Sequence, residues 1–132
     1  MSLKIVNFII YIIVLSTLSI YSAFAEQKTI TFDDGSTYIG EVVGGNMEGK
    51  GLFKSSKNTS NKQLIYSGEF KEGKFNGLGK LDFYNGDSYI GGFLDGYMHG
   101  SGLLKYESGS EYEGFFNKGN KEGKGRLVYS DG

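Results

Sequence analysis

The chain contains no cysteine, no proline and no tryptophan, and only one histidine in 132 residues. Without cysteine there is neither a disulfide framework nor a thiolate metal site. With His99 as the sole imidazole, a transition-metal centre and a nucleophile–histidine relay both lack parts. Neither charge sign dominates: 14 Lys and Arg stand against 15 Asp and Glu, so neither a polyanion nor a polycation is implied as partner.

What is abundant is glycine, 22 residues, together with 10 Tyr and 10 Phe. Glycine in such amounts suits low-complexity disorder, but disordered chains are poor in aromatics. The combination predicts turns and close backbone approach beside an aromatic packing surface.

Residues 1–25 are of another kind. Lys4 precedes an apolar stretch, Ile5–Ile20, and the small-x-small pattern Ala23-Phe24-Ala25 follows. A basic residue, an apolar core and an A-x-A end make a signal peptide with cleavage after Ala25. The alternative is an uncleaved anchor, since Ile5–Phe24 approaches the ~20 residues of a bilayer span. Ser2 stands where N-myristoylation requires glycine. The expected mature domain is 26–132, exported to the medium, periplasm or envelope, or membrane-anchored if uncleaved.

That domain repeats itself. Tyr-x-Gly recurs at Tyr38, Tyr66, Tyr89 and Tyr112, the last three at 23-residue intervals, and the first interval is five residues longer. Glycines follow each Tyr by seven residues (Gly45, Gly73, Gly96, Gly119), by eleven (Gly49, Gly77, Gly100, Gly123) and by thirteen (Gly51, Gly79, Gly102, Gly125). Within a unit, Tyr66, Gly68 and Phe70 alternate, as do Gly79, Leu81 and Phe83. Residues i, i+2 and i+4 share one face of a strand, so each unit reads as a hairpin with its aromatics on one side. A glycine inside a strand marks close approach by another group, here a neighbouring ring. Asp34-Gly35, Asn85-Gly86 and Ser108-Gly109 predict tight turns between units, with positive φ across each dipeptide. The turn within a unit, such as Lys71–Asn76, reads as longer and charged. Thr29–Phe32 matches the second strand of an earlier half-unit. A polar insert at about 54–61 carries the glycosylation triplet Asn58-Thr59-Ser60.

The pattern Tyr-x-Gly-x-(Phe)-x-x-Gly-x-x-x-Gly-x-Gly, over residues 29–132, resembles the MORN repeat family. Gly92 and Phe115 depart from it, standing where the family commonly has Glu, and Val42 replaces an aromatic. The resemblance implies an all-β fold: an elongated, single-layer, twisted antiparallel meander of tandem hairpins. It implies dimerisation, scaffolding or peripheral membrane association, and no shared catalytic activity.

The residues agree with a non-enzymatic reading. His99 occupies a slot held by Glu48, Asn76 and Glu122 in the other units, and Gly49-Lys50-Gly51 and its copies lack the following helix of a phosphate cradle. No cofactor, metal, nucleic acid or small-molecule substrate is implied. The candidate interaction surface is Phe115, Val128, Ile90 and Leu103, apolar on the face that the second unit makes polar with Ser67, Glu69, Lys80 and Asp82. Lys118, Lys121, Lys124 and Arg126 are a candidate weak contact for anionic lipid. The expected function is an exported scaffold or protein-binding module, self-associating or with a protein partner. The alternative is a peripheral phospholipid-binding module.

Overall fold

The computed structural model describes residues 25–132. The expected signal peptide therefore lies outside the described residues, apart from Ala25. From Glu26 onward the chain forms β1 (Glu26–Thr31), β2 (Thr37–Val43), β3 (Asn46–Lys54), β4 (Ile65–Lys71), β5 (Lys74–Asp82), β6 (Ser88–Leu94), β7 (Tyr97–Lys105), β8 (Glu111–Asn117) and β9 (Asn120–Val128). They make one antiparallel sheet in sequence order, β1 to β9. The hairpins β2–β3, β4–β5, β6–β7 and β8–β9 are the four units, and β1 is the half-unit before them, with Ile30 opposite Tyr38 as Leu81 is opposite Tyr89.

The core is built from one face. The buried residues are Tyr38, Val42, Tyr66, Phe70, Leu81, Tyr89, Phe93, Leu104, Tyr112 and Phe116, with Ser36 the one buried polar residue among those described. Tyr66 and Tyr89 each meet the Phe of their own strand and the Phe of the next unit edge-on, while Tyr38, with Val42 on its strand, meets Phe70 and Tyr112 meets Phe116. Tyr66 lies 5.1 Å from Phe70 and 5.0 Å from Phe93, and Tyr89 lies 5.2 Å from Phe93 and 5.0 Å from Phe116. Such pairs contribute about 0.5–1.5 kcal/mol beyond burial. The resulting spine joins every hairpin to the next, so a single layer has a continuous core.

Glycine makes the spine possible. Gly40, Gly51, Gly68, Gly79, Gly91, Gly102, Gly114 and Gly125 pair in register across eight consecutive strands. The Tyr rings lie in this bare row. A Cβ on Gly79 would stand 2.6 Å from Cζ of Tyr66, and one on Gly51 2.6 Å from Cζ of Tyr38. In the first strands the partner backbone is the obstacle: a Cβ on Gly91 would meet the Cα of Gly102 at 2.6 Å. The hydroxyls of Tyr38, Tyr66 and Tyr89 donate to the carbonyls of Glu41, Glu69 and Gly92 at 2.8, 2.8 and 3.0 Å.

The turns correct the sequence reading. The tight turn is the one within each unit. Glu72-Gly73, Asp95-Gly96 and Lys118-Gly119 have positive φ at both residues, as does Gly44-Gly45. That is the pattern of a two-residue type I′ hairpin, not a long charged loop. Between units the turns are longer, and only Gly35, Gly86 and Gly109 have positive φ; Asp34, Asn85 and Ser108 do not. There the Gly amide donates to Phe32, Phe83 or Tyr106, whose own amide bonds to Ser36, Asp87 or Ser110. This is a type I turn closed by a left-handed glycine. The polar insert occupies the loop after β3, residues 55–64, so Lys54 belongs to the strand. Asn58 organises that loop, its Oδ1 accepting the amides of Ser60 and Lys62 at 3.0 and 2.9 Å.

Candidate interaction face

Among the described residues no layer covers the face opposite the rings. One row crosses it as Ile39, Leu52, Ser67, Lys80, Ile90, Leu103, Glu113 and Arg126, each opposite the next in register. Beside it Leu78 pairs with Gly92, and Ser101 with Phe115. The second unit's Ser67 and Lys80 interrupt the row between Leu52 and Ile90: Leu78 lines one concavity with Ile39 and Leu52, and Ile90, Leu103 and Phe115 gather beyond it. Leu78 is exposed by 69%, Phe115 by 58% and Ile90 by 49%, and Leu103 is half-buried. Leu103 and Phe115 line one concavity with Ser101 and Glu113.

Of the four residues proposed from sequence, Ile90, Leu103 and Phe115 thus share one patch. Val128, opposite Glu111, lines a neighbouring concavity with Leu103, Glu113 and Arg126, and the Glu113–Arg126 pair lies between it and Phe115. Leu78 was missed because its slot follows the glycine eleven residues after the repeat Tyr, and that glycine's role is invisible without the register.

That role is a bulge. In each hairpin the register shifts just after the paired glycines, at Gly40/Val42, Gly68/Phe70, Gly91/Phe93 and Gly114/Phe115. The glycines at Gly49, Gly77, Gly100 and Gly123 all take positive φ there. In the first two units a glutamate covers the bulge: Glu41 accepts the amide of Lys50 at 3.2 Å, and Glu69 that of Leu78 at 3.3 Å. Glu48 accepts the amide of Glu72 at 2.8 Å and so ties one unit to the next turn. Gly92 and Phe115 remove the covering glutamate from the third and fourth units. His99 replaces Glu48, and its Nδ1 is buried without a hydrogen-bond partner among the described residues.

The basic residues proposed for lipid contact do not all share a face, although Lys124 and Arg126, on either side of Gly125 in β9, both lie on the open one. Lys121 is opposite buried Phe116, while Arg126 is opposite Glu113 on the open face. Lys121 Nζ lies 4.5 Å from the Tyr112 ring centre, 5.2 Å from that of Tyr106, and 2.5 Å from the Tyr106 hydroxyl. It closes the spine where Phe75 stacks on Tyr66 in the second unit, 3.8 Å between rings. Lys118 is in the turn.

Burial raises the tyrosine hydroxyls. Desolvation, helped by the charge of Glu69, pushes Tyr66 up to about 12. Desolvation also raises Tyr38, with Glu41 and Glu48 adding to it, and Tyr89. These groups are neutral packing elements at ordinary pH. Among the described residues no three His, Cys, Asp or Glu converge as a metal site. No helix among them is long and apolar enough to cross a membrane.

No curated protein matches the chain. The family model of the MORN repeat matches residues 38–60, 66–88, 89–111 and 112–132. The matches begin at the four repeat tyrosines, and the gap between the first two covers the end of the loop after β3 and the first residue of β4. Repeats of this kind are generally protein- or membrane-binding modules and not a class of enzyme. Four tandem matches on four hairpins of one sheet place the chain in the MORN repeat family.

Proposed function

We propose that this chain is a non-enzymatic exported scaffold, a protein-binding module that engages a partner protein or a second copy through its open face. The observation that carries this reading is the open-face set of Leu78, Ile90 and Phe115, exposed beside half-buried Leu103, while the repeat Tyr and Phe rings of the other face are buried in their own spine. Exposed apolar groups gathered on one surface mark contact sites. Export is supported by Ala23-Phe24-Ala25, which ends where β1 begins at Glu26. Peripheral lipid binding is the weaker reading, because Lys121 is engaged by two rings and Arg126 faces the other way. The test is association of the native chain at low and high salt, with anionic and neutral vesicles in parallel. The proposal expects association insensitive to salt and lost in Ile90→Lys with Phe115→Lys. Binding to anionic vesicles alone, abolished by salt, would replace it with the lipid reading.

A further inference from the structure

The bulges of the first and third units share a plan with different linings, and in the third the His99 carbonyl oxygen reaches the place a Cβ on Gly92 would take. The first is lined by Glu41, Glu48, Gly49, Glu69, Phe70 and Asn76, among others. Shifted along the repeat, the same slots hold His99, Gly100, Phe115, Phe116 and Glu122 around a concavity of about 360 Å³. Gly92 takes the place of Glu41 itself.

What fills the cradle in the first two units is a carboxylate. A Cβ on Gly49 would lie 2.5 Å from Cδ of Glu41, and one on Gly77 2.9 Å from Cδ of Glu69. At Gly100 nothing beyond the adjoining His99 and Ser101 reaches within 4 Å of the same position. The backbone still makes the bulge, with Gly100 at φ 75°. Ser101 corresponds to Lys50 and Leu78, whose amides donate to the covering glutamates. His99 adds a buried, unpartnered Nδ1, a donor in one neutral tautomer. Around Gly92 and Ser101 stand Leu78, Ile90, Leu103 and Phe115.

We propose that the third unit's bulge receives a carboxylate from a partner polypeptide, an Asp or Glu flanked by apolar residues. The acid takes the place that Glu41 and Glu69 hold in their own units, and the flanking side chains cover the rim. This rests on the protein-binding reading above and names the chemistry of the partner. Charge does not forbid it. The first cradle keeps the Glu41 carboxylate beside Glu48 and Glu69, whereas the third has His99 and Phe115 in those two slots. Its one acid, Glu122, accepts the side-chain amide of Asn117 at 3.3 Å.

The test is amide NMR of the full chain in neutral detergent micelles. It is titrated with a short capped peptide carrying one glutamate between leucine and valine residues, and with its glutamine counterpart. The glutamate peptide should shift the amides of Gly100 and Ser101. Lys50, already bonded to the Glu41 carboxylate, should stay still. The glutamine peptide should bind about tenfold more weakly, since hydrogen bonds to a charged group are the stronger kind. Leu78→Ser and Phe115→Ser, both at exposed positions, should weaken both peptides without changing thermal unfolding. Equal binding of the two peptides at the rim would overturn the carboxylate site while leaving the protein-binding face standing. No shift at Ser101 with either peptide would also overturn it.

Discussion

The ring of Tyr66 lies over Gly79 on the paired strand, with its hydroxyl bonded to the carbonyl of Glu69. The glycine exists to leave room for the ring, and the same relation recurs at Tyr38 over Gly51, Tyr89 over Gly102 and Tyr112 over Gly125. Gly79→Ala should therefore cost about 1–3 kcal/mol through overpacking. Gly73→Ala meets nothing within 4 Å and should cost only the strain of its φ of 78°, about 1 kcal/mol. Urea unfolding of both variants, and of Gly79→Ala combined with Tyr66→Leu, checks the assignment. The loss at Gly79 should shrink in the double variant.

Alkaline pH should dismantle the spine. A phenol whose folded pKa is raised keeps its proton in the native state after the unfolded chain has lost it. Its contribution is whole below pH 10 and is lost as pH rises from there toward about 12, the value for Tyr66. Tyr38 and Tyr89 shift the same way and add to the effect. Phenolate absorbance and circular dichroism, followed together, should show these tyrosines ionising as the sheet unfolds. Tyr66→Phe should move the alkaline midpoint upward, and at neutral pH it should lose about 1 kcal/mol for the missing hydrogen bond.

Lys121 behaves as a packing residue. It occupies the slot of Met47, Phe75 and Met98 and sits over the Tyr112 ring. Lys121→Ala should lower stability by about 0.5–1 kcal/mol, while Lys121→Met should restore most of it. Thermal unfolding measures both. Binding to anionic vesicles should not depend on this residue.

The fold was legible because spacing fixes it. Tyr, Gly and Phe at alternate positions can only line one face of a strand, and a 23-residue period leaves room for one hairpin. The turns were misassigned for a physical reason. Glu72, Asp95 and Lys118 adopt left-handed φ without being Asn or Gly, so their residue types hide the type I′ turns. The patch was partly legible: Ile90, Leu103 and Phe115 follow from alternation. Leu78, the bulge glutamates and the ring contact of Lys121 depend on a register shift that alternation does not encode.

Export carries its own expectation. Signal peptidase should cut between Ala25 and Glu26, freeing β1 from its first residue. N-terminal sequencing of the exported chain should begin at Glu26. Intact Met1 in a membrane fraction would make residues 1–25 an anchor.

The most direct test of the open face as the contact surface is photo-cross-linking in the native cell. A photoreactive residue is placed in turn at Ile90, at Phe115 and, as a control in the loop after β3, at Lys57. The account predicts one discrete protein adduct, of a partner or of a second copy, from Ile90 and Phe115 and none from Lys57. Adducts to lipid alone, or equal adducts from all three positions, would contradict it.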